Sequence, residues 1–328
     1  MDDVQAPKKV QFDDSASQVL VQQNVQLPNI IFVKPHKVGS SSMSNLVRLI
    51  AARNGGVASE YQRKTKCRDM FAKKMMQPII PQLHIWADHC KCSKLLEDVE
   101  RDIVKQAFTF TLVRDPVDRC LSGYYYYFET NNPHIVLSEQ GRTHNKLKYG
   151  PCGNHGSQMK EIRPTKNATV AETVDFYDLV GITGRFMESL TVMKMFLGLS
   201  YGDMLFFDDK RSGNGHLAPR LPMSSEPPEV LEHFKNLNDP MDEELFRLAS
   251  KKLDMIIRKL QPEFSVVNET LTRTLREARN TCGDTSRSDK IDGAFGCFGR
   301  GNCRISCLRN FAAEAGLLER PPTVNITV

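Results

Sequence analysis

Two short stretches carry residues whose types and spacing suit an anion. The first is His36-Lys37-Val38-Gly39-Ser40-Ser41-Ser42, set between an apolar run at 29–33 and apolar positions Met43, Leu46, Val47 and Ile50. The run reads as a buried strand, and the i, i+3, i+4, i+7 spacing predicts a helix. A helix start offers unpaired N–H groups and a partial positive charge. Gly39 lets backbone approach an anion, Ser40, Ser41 and Ser42 add hydroxyl donors, and Lys37 adds a full charge. In physical terms this is a phosphate- or sulfate-binding loop. The plainer alternative is a capped turn, with Ser41 or Ser42 as the cap. A Walker A loop is excluded, because the Lys precedes the Gly.

The second stretch is Thr111-Leu-Val-Arg-Asp-Pro-Val-Asp-Arg-Cys-Leu-Ser122, followed by Tyr124 to Phe128. Arg114 leaves a strong strand candidate at 107–113, and Asp115 and Pro116 suit the cap and first position of a helix over 116–128. Ser122 follows Arg114 by eight residues. An Arg fork with a Ser hydroxyl can clamp a phosphate. Arg114 in a surface salt bridge at a structural junction is the alternative. The Tyr124–Tyr127 run reads as core and groove wall.

These stretches need elements to hold them. Further strands are expected at 83–86, 177–182 and 204–207. A helix with apolar Phe186, Leu190, Met193 and Leu197 ends at Gly198, and a longer one spans Met241 to Leu260. Strands alternating with helices predict an α/β fold, a mainly parallel sheet flanked by helices on both faces. Both stretches then lie at strand–loop–helix junctions, where ligands of such sheets collect. Residues 1–27 read as a flexible lead, 28–262 as the main domain with a polar insert at 129–170, and 263–328 as a Cys-containing extension.

Lys plus Arg number 44 against 39 Asp plus Glu, a net charge of +5. That excess suits an anionic ligand and is too small to argue for general nucleic-acid binding. No 18-residue apolar window and no signal-peptide pattern occurs, so a soluble cytosolic protein is one expectation. Nine cysteines include Cys282, Cys297, Cys303 and Cys307 near the end of the sequence. Their spacing favours local disulfides or free thiols over zinc. Disulfides require an oxidising compartment. Sequons at Asn167, Asn268 and Asn325 permit a secretory route. No His/Cys/Asp/Glu cluster suggests an essential metal.

The two stretches together resemble the sulfotransferases that use 3′-phosphoadenosine 5′-phosphosulfate (PAPS), which have a P-loop-like α/β fold. The resemblance implies that the loop of Lys37, Val38, Gly39, Ser40, Ser41 and Ser42 holds the 5′-phosphosulfate, and that Arg114 and Ser122 hold the 3′-phosphate. Residues 30–49, 178–207 and 234–253 are similar to the Golgi galactose 3-O-sulfotransferases. The run at 114–125, R-D-P-x-x-R-x-x-S-x-Y-Y, is also similar to uronyl 2-O-sulfotransferases. Together they cover about residues 29–260.

The resemblance implies transfer of a sulfuryl group from PAPS to a sugar hydroxyl of a glycan or glycolipid, without a metal. It further implies a Golgi-lumenal location, with membrane attachment only through an anchor that this sequence does not show. The general base expected is a His shortly before the 3′-phosphate strand. Within LHIWADHCKC, His89 matches best and His84 is the runner-up. His36 reads as a supporting residue, and His216 as a further candidate. A small-molecule kinase and a non-catalytic nucleotide- or glycan-binding protein are the rival readings. The first lacks a Walker A order, and retention of Lys37, Arg114, Ser122 and a candidate base speaks against the second.

Overall fold

The structure, a computed structural model, describes residues 27–54, 57–58, 84–88, 92–93, 96, 101–129, 139–148, 157–206, 222–282 and 305–319. The described residues open with strand β1 (Ile30–Val33), followed by helix α1 (Ser40–Arg53). Then come β2 (Val57–Ala58), β3 (His84–Asp88), α2 (Arg101–Gln106) and β4 (Phe108–Val113). Helix α3 (Pro116–Gly123) runs directly into a π-helical turn (Tyr124–Glu129). The polar insert contributes α4 (Glu139–Lys148) and α5 (Gln158–Ile162), and α6 (Val170–Phe176) leads into β5 (Leu179–Ile182). Next are α7 (Phe186–Leu197), α8 (Pro228–Asn236), α9 (Pro240–Lys259), α10 (Glu263–Cys282) and α11 (Ile305–Glu314).

The strands form one parallel sheet in the order β2-β3-β1-β4-β5. The chain leaves β1 toward β3 on one side and β4 on the other. The junction of β1 and β4 is therefore the switch point, and the crevice at their carboxyl ends is where such sheets take ligands. β1, β4 and β5 are buried at every position, so both faces of the sheet are covered, as their predominantly apolar sequences require. Phe32 and Phe110 stack across β1 and β4 with centroids 4.6 Å apart.

Several local expectations hold. Asp115 caps α3, accepting from Asp118 N at 2.9 Å, with Pro116 in the first position. Gly198 ends α7 in the left-handed region, at φ 58°. Other expectations need correction. The cap of α1 is Gly39, at φ 74° and without a side-chain cap bond, and the serines lie inside the first turn. The helix expected over 116–128 widens into the π turn from Tyr124. The run from Met204 is not a strand, and Phe207 lies outside the described residues. One side chain takes the Leu205 carbonyl within the run and two carbonyls just before it. Arg53 Nη1 donates to Gly202 O, Asp203 O and Leu205 O at 2.6, 2.9 and 3.1 Å.

The segment after Pro262 is helical and shares the main core. Phe264, Leu271, Leu275 and Ala278 of α10 and Leu308 and Ala312 of α11 are buried in the same apolar cluster as the strands. The Cys282–Cys307 disulfide ties α10 to α11. Cys120 is also disulfide-bonded, whereas Cys92 is a free buried thiol. Gly202 N donates to Leu317 O at 2.8 Å, and a Cβ there would stand 2.9 Å from Leu318 and 3.0 Å from that carbonyl. No helix among the described residues is long and apolar enough to cross a membrane.

Candidate active site

The chain turns sharply between β1 and α1. Lys37 stands at φ 64° and Gly39 at φ 74°. Glycine takes that region freely, but for lysine it costs about 1–3 kcal/mol and needs support from its surroundings.

That support comes from three residues that take three successive carbonyls. Arg119 Nε donates to His36 O at 3.0 Å, and Arg114 Nη1 donates to Lys37 O at 3.1 Å. Thr183 Oγ1 lies 2.7 Å from Val38 O and 3.0 Å from Val113 O, its single proton serving the loop and the end of β4. In a trans peptide the following N–H points opposite to the carbonyl. The N–H groups of Lys37, Val38 and Gly39 thus turn away from these three supports. Continuing into the first turn of α1, which has no intrahelical acceptors, they form the kind of backbone nest that takes an anion.

A buried ionic layer lies behind the loop. Glu161 accepts from His36 N at 2.8 Å, and His36 Nδ1 is 3.0 Å from the same oxygen. Its other oxygen accepts from Arg119 Nη2 at 3.0 Å. Arg119 is 4% exposed, and its Nη1 is 3.8 Å from Asp242 of α9. Asp242 accepts from Ser157 Oγ, Gln158 N and Met159 N at 2.5, 2.8 and 2.9 Å. Burial raises its carboxyl above the ordinary range, with those donors and Arg119 pulling the other way. The 129–170 insert therefore delivers Glu161 and Gln158 to the back of the anion loop.

Arg114 joins the two sequence motifs. Besides reaching Lys37 O, its Nε donates to Asp118 Oδ2 at 2.5 Å. Ser122 is half-buried on α3, one turn beyond Asp118, and so shares the helix face that Arg114 lies on. Of the remaining loop residues, Val38, Ser40 and Ser42 are buried.

The tyrosine run divides in two. Tyr124 and Tyr125 are buried, packed with Leu121, Val230 and Phe234. Tyr126 and Tyr127 are half-buried and face the loop: the Lys37 ammonium lies 3.8 Å from the Tyr126 ring centre and 5.5 Å from that of Tyr127. Lys146 of the insert, 2% exposed, donates to Glu226 Oε2 at 2.5 Å and to Tyr125 Oη at 2.9 Å, and Tyr125 donates to Glu226 Oε1 at 2.8 Å.

Strand register separates the two histidine candidates. Asp88 pairs with Val33, so β3 ends at the sheet edge that carries the anion loop. His84 pairs with Val57 at the start of β3, four residues away and about 13 Å along the strand. It belongs to the opposite edge. His89 follows Asp88 in sequence and, like His216, lies outside the described residues. Cys92 is no nucleophile candidate: burial pushes its thiol up to about 12. Among the described residues no group of three His, Cys, Asp or Glu side chains is arranged to hold a metal ion.

A family description, the sulfotransferase family, matches residues 26–197. The chain belongs to the sulfotransferase family. The match takes in the anion loop, the Arg114–Ser122 helix, the insert and β5. No curated protein is similar enough to count as a match. Sequence reasoning had reached Lys37, Gly39, Arg114 and Ser122, but not Gln158, Glu161, Thr183 or Asp242. One feature bears on Glu161 and Asp242. Arg119 falls on the buried face of α3, between Pro116 and Gly123, and a buried Arg requires acidic partners.

Proposed function

We propose that this sulfotransferase moves the sulfuryl group of PAPS to a sugar hydroxyl, the 3-OH of a galactose in a glycolipid or glycoprotein. The observation that carries the donor assignment is the anion loop itself, with three successive carbonyls pinned back by Arg119, Arg114 and Thr183. Such a nest suits the phosphosulfate. Arg114, bonded to Asp118 of α3, and Ser122, one turn further along that helix, suit the 3′-phosphate that distinguishes this nucleotide from others.

Sulfuryl transfer resembles phosphoryl transfer, with a loose in-line transition state and catalysis chiefly by positioning and charge stabilisation. The bond from sulfur to the bridging oxygen breaks as the bond to the acceptor oxygen forms, and adenosine 3′,5′-bisphosphate leaves. Lys37 neutralises charge growing on the bridging oxygen. His89 accepts the hydroxyl proton. The register of β3 supports His89 over His84, because only the end of β3 lies at the loop's edge.

The R-D-P-x-x-R-x-x-S-x-Y-Y run supports a second acceptor reading, the 2-OH of a uronic acid in a polysaccharide, since Arg119 of that run is central to the site. A lumenal location is supported by the Cys282–Cys307 disulfide and by Asn167, which is exposed in a turn. Asn268 supports it less. It lies within α10, where its carboxamide accepts from Thr191 Oγ1 at 2.9 Å.

Transfer of ³⁵S from labelled PAPS to a glycan array, with the sulfated position then mapped, tests donor and acceptor together. Label on galactose 3-OH is expected. Label confined to uronic acids selects the second reading, and no transfer to any glycan refutes both. Adenosine 3′,5′-bisphosphate should raise the melting temperature well beyond adenosine 5′-monophosphate. Equal shifts would remove the 3′-phosphate role of Arg114 and Ser122.

A further inference from the structure

Asn-x-Thr sequons begin at Asn167 and Asn268, and the fold places these two asparagines in opposite settings. Asn167 lies in a turn between α5 and α6. Ala168 N donates to Thr165 O at 3.3 Å, and Lys166, Asn167 and Thr169 are all exposed. Thr169, which supplies the sequon hydroxyl, is the N-cap of α6. Its Oγ1 accepts from Glu172 N at 3.2 Å, while Glu172 Oε2 accepts from Thr169 N at 2.7 Å. This reciprocal cap starts the helix after Asn167 and keeps Asn167 outside it, at the surface.

Asn268 is built into the fold instead. It is half-buried in the second turn of α10, four residues after Phe264 and three before Leu271. Both neighbours are buried in the main core, and residues at this spacing share one helix face. Its carboxamide is 2.9 Å from Oγ1 of Thr191, a fully buried residue of α7. An N-linked glycan is bulky and solubilising and must stand in solvent. At Asn268 it would hold α10 away from α7. At Asn167 it projects from an exposed turn.

We propose that Asn167 is an N-glycosylation site and that Asn268 stays unmodified in the folded protein. This rests on the proposed lumenal location, and the test separates the two. The donor class is a lipid-linked oligosaccharide pyrophosphate. The Asn167 carboxamide nitrogen bonds to C1 of the first sugar and loses one proton to solvent. The bond from C1 to the pyrophosphate oxygen breaks, and the lipid pyrophosphate leaves with its electron pair.

The full chain is secreted from cultured eukaryotic cells behind a cleavable signal, in an Asn325→Gln background that leaves the two sequons under test. Protein that unfolds in one cooperative step is collected. Peptide N-glycosidase in ¹⁸O-water converts a glycosylated Asn to labelled Asp, which peptide mass mapping locates. Label is expected at 167 and not at 268, with a single glycan-sized step on gels. Asn167→Gln and Thr169→Ala should abolish that step. Thr169→Ser, which keeps both hydroxyl and cap, and Asn268→Gln should retain it.

No label at 167 in the secreted protein overturns the proposal, as does a step that survives Asn167→Gln or label at 268. If Asn268→Gln is not secreted, the absence of label at 268 in the parent decides the same point. Location is read on the protein in its own cells. Label at 167 there supports both site and location. Label behind the added signal but not in those cells refutes the lumenal location, and with it the natural modification, while the site's competence stands.

Discussion

The side-chain amide of Gln158 closes on the Arg114 peptide from both sides: Nε2 donates to Arg114 O and Oε1 accepts from Arg114 N, each at 2.9 Å. Gln158 is fully buried and completes the backbone hydrogen bonding just past the end of β4. It thereby aims Arg114 at Lys37 O. Gln158→Leu would leave a donor and an acceptor of that peptide unmet, at about 1–3 kcal/mol each. Denaturant unfolding should show that loss, and affinity for adenosine 3′,5′-bisphosphate should fall more than affinity for the 5′-monophosphate. Equal losses for both nucleotides would mean that Gln158 does not act through Arg114.

Glu161 has two tasks that can be separated. It neutralises Arg119, and it holds the His36 N–H on the strained side of the loop. Glu161→Ala leaves Arg119 buried with Asp242 at 3.8 Å as its acidic partner, and should cost about 3–5 kcal/mol. Replacing both partners, Arg119→Met with Glu161→Leu, should recover most of that stability, since a buried ion pair is often dispensable to an apolar one. It should not recover nucleotide affinity, because His36 N and His36 O both lose their partners. Recovered affinity would show that the loop holds its shape without them.

How far the fold could be read depended on where the information lay. β1 and β5 were legible as short apolar runs, β4 as a run of Phe, Leu and Val interrupted only by β-branched Thr109 and Thr111, and α7 because Gly198 follows its last apolar residue. The sheet-edge position of Lys37 and Arg114 followed from strand–helix alternation. The run from Met204 looked like a strand because it is apolar. The distant Arg53 side chain takes the Leu205 carbonyl there and those of Gly202 and Asp203 just before it, which no local pattern announces. Helix α10 was hidden by Pro262 and by polar residues between Phe264, Leu271 and Leu275. Glu161 and Asp242 meet Arg119 from 42 and 123 residues away in sequence, and no local pattern marks such partners.

Lys194 gives a pH prediction with a definite sign. It is buried in α7, donates to Leu199 O at 2.7 Å and lies 4.1 Å from the Tyr201 ring centre. Burial pushes its pKa down to about 8 from an ordinary 10.5, with Asp203 opposing. Below pH 8 both folded and unfolded chains hold the proton, and the cost of burying the charge is fully present. Between pH 8 and 10.5 the unfolded chain binds more protons, so stability rises with pH. Lys194→Met lacks this contribution. The stability of the wild type relative to Lys194→Met should therefore increase from pH 8 to 10, as read by urea unfolding. Parallel curves would refute the depressed pKa, and subtraction removes the similar contribution of buried Lys252.

The Lys146–Glu226 pair lies where the insert, the π turn and the start of α8 meet. Its side chains are 2% and 0% exposed, and Tyr125 Oη bonds to both. Removing one charge strands the other in an apolar setting. Glu226→Ala should cost about 3–5 kcal/mol, whereas Lys146→Met with Glu226→Leu should fall near wild type. Tyr125→Phe removes the shared hydroxyl and should cost about 1–3 kcal/mol. Lys146 is a buried polar residue of α4. Hydrogen exchange at α4 should therefore quicken in Glu226→Ala more than exchange in β4, beyond the change in global stability. If exchange rises uniformly, the pair supports the whole fold and not the docking of α4 against the π turn.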